Sequence, residues 1–151
     1  MKIYLATDHA GFSLKEEVKK YLIAQKFEVE DCGAFSFEKG DDYTDLIAKA
    51  AEKVSQNQDS KGIVFGKSGT GEEIAANKIK NIRAVLGFSD ENVKLAREDN
   101  DANVLSLGSA FVDFEKAKIL VDIFLNTAFS NEERHKRRIE EIKNLETDNL
   151  K

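Results

Sequence analysis

Proline is missing altogether from the 151 residues, cysteine appears once and histidine twice. The missing proline says nothing about chemistry. The single cysteine, Cys32, excludes an internal disulfide and makes the cytoplasm the expected setting; its own reading is a small core residue at a strand end. His9 and His135 lie far apart and no cysteine pair accompanies them, so no metal site is expected. No apolar run approaches the roughly 20 residues of a membrane span, and residues 1–8 turn polar too early for a signal peptide. Positive charge is also short: 23 Lys and Arg face 28 Asp and Glu, a net charge of −5 that argues against a general nucleic-acid binder. With no repeat, linker or low-complexity tract, one domain over residues 1–151 is expected.

What is present is an alternation of short apolar runs and helical periodicities. Residues 3–7, 27–32, 62–65, 81–87 and 103–108 read as strands. Residues 13–25 carry Leu14, Val18, Tyr21 and Leu22 on one face, with lysines and glutamates opposite. A second helix carries Leu46, Ile47, Ala50, Ala51 and Val54, and a third is expected over 72–80. Ser89 reads as the N-cap of a helix to about Glu98, Asp113 as the cap of the next, and Asn131 as the cap of a last one over about 131–147. This order implies an α/β fold: a three-layer α/β/α arrangement around a five-stranded parallel, Rossmann-like sheet, with an extra C-terminal helix. Ligands of such sheets sit beyond the carboxyl ends of the strands. Those ends carry Asp8-His9, Gly66 to Glu72 and Gly108-Ser109, and the loop at Tyr43 and the helix end at Asp99-Asn100 are expected to reach the same edge.

The most informative stretch is Gly66-Lys67-Ser68-Gly69-Thr70-Gly71-Glu72, between a buried strand and a helix. Such a loop lets backbone N–H groups approach an anion at a helix N-terminus. It lacks both the lysine-serine ending of a P-loop and dinucleotide spacing. Glu72 in the first helical turn is a candidate general base, or a carboxylate favoured there by the helix dipole. Ser68 and the loop N–H groups can hold a developing oxyanion, or the serine can satisfy a turn. His9 beside Asp8 suits phosphate or a structural role. Arg134 and Arg138 share one helix face, a spacing suited to a phosphate clamp or to a solvated face paired with nearby glutamates.

Several pieces match one family in order. They are Asp8-His9-Ala10-Gly11, Asp31-Cys32-Gly33, Asp42-Tyr43, Ser68-Gly69-Thr70-Gly71-Glu72 with Ile74-Ala75-Ala76-Asn77-Lys78, Ile82-Arg83-Ala84, Asn100-Asp101-Ala102-Asn103 and Arg134-His135-Lys136-Arg137-Arg138. The chain resembles the B-type ribose-5-phosphate isomerases, which are grouped with the galactose-6-phosphate isomerase subunits. The resemblance implies a cofactor-free aldose–ketose isomerase that moves a proton between C1 and C2 of a sugar phosphate through a cis-enediolate. Some members place a cysteine base at the position of Gly66; this chain resembles the branch with glutamate at Glu72. By the same resemblance Ser68 supports the enediolate, and Asp8, Tyr43, Asn100 and the loop residues Gly66, Lys67, Gly69, Thr70 and Gly71 contact substrate. His9, Arg134 and Arg138 contact phosphate. The family builds each site from two subunits, which implies a homodimer as the minimum unit, with a tetramer left open, and a last helix packed on a partner.

Two positions depart from the pattern. Asp99 stands where the family usually has the histidine that helps open the furanose ring, and Ala110 stands where it usually has a phosphate-directed arginine. The leading expectation is interconversion of ribose 5-phosphate and ribulose 5-phosphate. The alternatives are an isomerase of six-carbon sugar phosphates, of the allose- or galactose-6-phosphate type or one subunit of such an enzyme, and a non-catalytic sugar-phosphate-binding homologue.

Overall fold

The computed structural model describes residues 1–36, 40 and 42–149. Five strands, β1 (Lys2–Thr7), β2 (Glu28–Asp31), β3 (Lys61–Gly66), β4 (Ala84–Leu86) and β5 (Val104–Gly108), alternate with α1 (Phe12–Ala24), α2 (Tyr43–Gln56), α3 (Thr70–Ala76), α4 (Asp90–Asn100) and α5 (Phe114–Asn126); α6 (Glu133–Asn149) follows. All strand pairs are parallel, in the order β2-β1-β3-β5-β4. The step from β1 to β2 runs one way along the sheet and those from β2 to β3 and β3 to β4 run the other, so right-handed crossovers put their helices on opposite faces.

Strand alternation builds one core on each face. Ile3, Leu5, Ile63, Phe65, Leu105 and Leu107 point to the side of α1, α4 and α5, where Val18, Val93, Leu120 and Phe124 meet them. Tyr4, Ala6, Val64 and Val104 point to the side of α2 and α3, against Ile47, Ala50, Ala51, Val54 and Ala76. Full burial of each large apolar side chain contributes about 1.5–3 kcal/mol, so the central strands β1, β3 and β5 form a stiff floor for whatever their ends carry.

The expected caps Ser89 and Asp113 are present: each side-chain oxygen accepts a backbone N–H three residues on, from Asn92 at 3.0 Å and Lys116 at 2.9 Å. Four expectations need correction. Asn131 is not a cap: its φ is +61° and α6 begins two residues later, whereas a cap residue is extended. The third helix is shorter than 72–80, because after Ala76 the chain tightens into turns that send Lys78 N–H to Ala75 and Ile79 N–H to Ala76. The strand expected over 81–87 is confined to three residues, since Asn81 is left-handed at φ +67° and pairing with β5 begins only at Ala84. Finally, Lys15 is not on a solvated face. It is fully buried, with Nζ 2.6 Å from both Asp31 Oδ2 and the Ala34 carbonyl.

Candidate active site

The carboxyl ends of β1 and β3 are neighbours from which the chain departs in opposite directions, the crevice where open parallel sheets take ligands. β3 ends at Gly66, and Gly69, at φ +80°, turns the chain into α3. That turn swings Glu72, in the first turn of α3, back over the strand end, where it is only 4% exposed. Its carboxylate occupies the place a side chain at residue 66 would need: a Cβ there would sit 1.6 Å from Oε1. Burial, and then the Asp8 carboxylate, push the Glu72 pKa from 4.5 up to about 7, against opposing hydrogen bonds from its own N–H and that of Gly69. At neutral pH such a group both accepts and returns a proton.

The other residues expected at this edge gather round it. Asp8 Oδ1 accepts the Gly11 N–H at 3.0 Å, which folds the turn carrying His9 against the end of β3. Tyr43, first residue of α2, lays its ring on the loop, its hydroxyl 2.8 Å from where a Cβ of residue 71 would be. Ser68 is exposed, and its Oγ accepts the Thr70 N–H at 3.2 Å. It therefore satisfies a turn and keeps its own hydrogen for an oxygen ligand. Lys67 and Thr70 are exposed on the same loop.

β5 supports the loop from below. The Ser109 and Ala110 N–H groups donate to the Gly66 and Lys67 carbonyls at 2.8 and 2.9 Å. Ser106 Oγ–H, wholly buried, donates to the Gly69 carbonyl at 2.6 Å, and Ser109 Oγ–H ties in the Ala10 carbonyl at 3.0 Å. Ser106 is a positioning residue that the sequence reading missed. Its signal was a lone hydroxyl within Val104-Leu105-Ser106-Leu107, since a buried hydroxyl needs a partner.

Asp99 and Asn100 do not reach this edge within the chain. A helix after a parallel strand runs back antiparallel to it, so α4 ends at the amino edge of the sheet. There Asp99 Oδ1 lies 3.4 Å from His135 Nε2, and Glu132 approaches the same nitrogen at 3.2 Å. Arg134 Nε donates to Glu132 at 2.9 Å, while Arg138, exposed one turn further on, makes no ion pair among the described residues. The candidates thus form two groups. Asp8, His9, Tyr43, residues 66–71 and Glu72 share the carboxyl edge; Asp99, Asn100, Arg134 and Arg138 belong to the far end and α6. Among the described residues no group of three or more His, Cys, Asp or Glu is placed to hold a metal, and no helix is long and apolar enough to cross a membrane.

Comparison with known proteins points one way. The family model described as Ribose/Galactose Isomerase matches residues 3–142. The ribose-5-phosphate isomerase B of Mycolicibacterium paratuberculosis is 42% identical over 140 residues, covering 93% of this chain and 88% of its own. That of Escherichia coli is 38% identical over 145 residues, covering 96% of each. The crystal structure of ribose-5-phosphate isomerase B from Mycoplasma genitalium with bound ribulose-5-phosphate superposes with a TM-score of 0.93 at 38% identity, over 97% of both chains.

Proposed function

The chain belongs to the ribose/galactose isomerase family and interconverts ribose 5-phosphate and ribulose 5-phosphate; we propose that Glu72 carries the proton between C1 and C2 through a cis-enediolate. The observation that supports this most is a buried carboxyl at the switch point of the sheet with its pKa raised to about 7. In the aldose direction the Glu72 carboxylate takes the C2 proton and the electron pair moves to the C1 carbonyl oxygen; the hydroxyl proton then passes from O2 to O1, and protonated Glu72 returns its proton to C1 as the C2 carbonyl forms. The Ser68 hydroxyl and the loop N–H groups hold the enediolate oxygens, and their fixed geometry avoids reorganisation during the reaction. Asp8 and Tyr43 hold sugar hydroxyls, and His9 meets the phosphate.

The phosphate clamp and the ring-opening group come from a second copy. The Asp8–Glu72 edge is acidic, and the arginines suited to phosphate sit on α6 at the far end of the same chain. Beyond Ile139 that helix presents Ile142 and Leu145, 38% and 62% exposed, as apolar surface for a partner. A homodimer sharing its sites is then the minimum unit, with Arg134, Arg138 and Asn100 entering the partner's site and the Asp99–His135 pair serving ring opening there. The enzyme works on pentose phosphates in the cytoplasm.

The test mixes two impaired variants, Glu72→Gln and Arg134→Ala, with ribose 5-phosphate below KM. Random reassortment makes half the dimers hybrid, each with one intact site, so activity recovers to roughly a quarter of the parent's. A mixture that shows only the mean of the two variants refutes shared sites. Turnover of ribose 5-phosphate by Glu72→Gln at the parent's rate refutes the base.

A further inference from the structure

At the amino edge of the sheet, away from Glu72, the start of β3, the segment before β4, the end of α4 and α6 enclose a cavity of about 300 Å³. Its charged lining is lopsided: Lys61, Arg83, Arg97 and Lys143 against Asp101 alone. The Asp101 carboxylate is already engaged, with Oδ1 accepting from Arg97 Nη1 at 2.8 Å and Oδ2 3.6 Å from Arg83 Nη2. Lys61 Nζ has only the Met1 sulfur, at 3.8 Å, and no carboxylate within 4 Å among the described residues. Neither arginine uses its whole fork. Arg83 donates Nε and Nη2 to the Asn100 and Asp101 carbonyls, and Arg97 donates Nε and Nη1 to Thr127, Ala102 and Asp101.

From this we propose that the cavity binds a small phosphorylated anion, held by Lys61, Lys143 and the unused guanidinium N–H groups of Arg83 and Arg97. Two fixed guanidinium planes with free donors, plus the two lysine ammonium groups, form a donor set that matches tetrahedral phosphate oxygens. The backbone carbonyls hold both arginines in place before any ligand arrives, which reduces the ordering that binding requires. The cavity has room for a phosphate and a small organic group. Its electrostatics agree. Burial, and then the Arg97 charge, draw the Lys61 pKa below its usual value, and burial does the same to Arg83, although Asp101 and Glu146 oppose it. An anion there relieves that shortage of negative charge. Two other acids stand nearby, each with a partner of its own: Glu140 touches Lys143 at 4.0 Å, and Glu146 Oε2 accepts the Asn81 N–H at 3.1 Å.

The experiment titrates the 15N-labelled full chain with inorganic phosphate and follows two sets of amides by NMR. One set is Gly62, Arg83 and Asn103 at the amino edge; the other is residues 66–71 at the catalytic edge. The expected result is saturable shifts in both sets. In Lys61→Gln/Lys143→Gln the amino-edge affinity falls by about tenfold or more, while the loop response and kcat stay as in the parent. Lys61→Arg, which keeps the charge, retains amino-edge binding and shows that any loss is not misfolding. Arg134→Ala weakens only the loop response. Amino-edge amides that do not move, that move linearly without saturation, or that respond equally in the double glutamine variant overturn the proposal.

Discussion

Replacing Glu72 by glutamine keeps the shape and removes the ionisation, so it tests chemistry and burial in one protein. The carboxyl is raised from 4.5 to about 7 because the folded chain buries it, and Asp8 then adds like charge. A raised carboxyl binds its proton more tightly when folded than when unfolded. Its contribution to stability is therefore fully present below about pH 4.5 and is lost as pH rises through about 7. At about 1.4 kcal/mol per pH unit, the gap amounts to about 3 kcal/mol carried against folding by ionised Glu72. The neutral amide of Glu72→Gln carries no such load. Near pH 8.5 the variant should therefore be about 3 kcal/mol more stable than the parent, a Tm gain of roughly 6–12 °C for a chain of this size; near pH 4 the two should coincide. Denaturant unfolding at both values measures the first claim. Exchange of the C2 proton with deuterated solvent, followed by NMR on ribose 5-phosphate, measures the second: loss of the base should slow it by about 10²–10⁴-fold. A pH-independent stability difference would refute the burial argument, and undiminished exchange would refute the assignment of the base.

The parent's kcat/KM for ribose 5-phosphate should rise with unit slope on the acid side and level off above about pH 7, as Glu72 ionises; a break near 4.5 would show an unperturbed carboxyl. Gly66→Ala puts a methyl 1.6 Å from the position of Glu72 Oε1, so the carboxylate must move; kcat should fall by about 10²-fold with the circular dichroism unchanged. Lys15→Met removes a wholly buried ammonium from Asp31 and the Ala34 carbonyl, which should cost about 3–5 kcal/mol in urea unfolding. Burial by itself raises the Asp31 pKa, but hydrogen bonds from Lys15, Lys19 and the Gly33 N–H outweigh it and hold it low. The parent thus gains this stability above the ordinary carboxylate range and loses it as pH falls through the depressed value, and Lys15→Met should flatten that acid slope.

The strands were legible because β-branched and apolar runs such as residues 62–65 are bounded by glycine and polar turns. Ser89 and Asp113 were legible because capping is a local interaction. Strand order was not, because alternation of strand and helix says nothing about β5 inserting between β3 and β4. Lys15 and Ser106 escaped notice for a shared reason. One looks like a solvated helix face and the other like an odd hydroxyl in a strand; each acquires meaning only from a partner remote in sequence, Asp31 and Gly69. The loop was legible as a ligand cradle, and Glu72 as an acid beside it. That this acid is buried, and hence basic enough to work at neutral pH, depends on the turn at Gly69 and on the space left by Gly66. The end of α4 misled for a topological reason: Asp99-Asn100 follows a strand that ends at the catalytic edge, yet one helix length carries the pair to the opposite edge.

The same geometry restricts how such a site can be built. The Glu72 carboxylate and any side chain on residue 66 compete for one volume at the end of β3. A reactive group rising from the strand and one returning from the helix are therefore alternatives, and a chain with glycine at 66 is committed to the helix. That choice brings a carboxylate beside Asp8, and the pair makes the edge more acidic just where the proposed site takes its phosphorylated sugar. Lys67 on the loop brings one positive charge to this edge, whereas the arginines suited to a clamp, Arg134 and Arg138, stand on a helix that the chain's own strand ends cannot reach. Burial raises Glu72 enough to blunt the repulsion at neutral pH, but it does not supply a cation. The base and the clamp are separated by the length of a helix, so under this reading dissociation into single chains should abolish sugar-phosphate turnover before it unfolds the sheet.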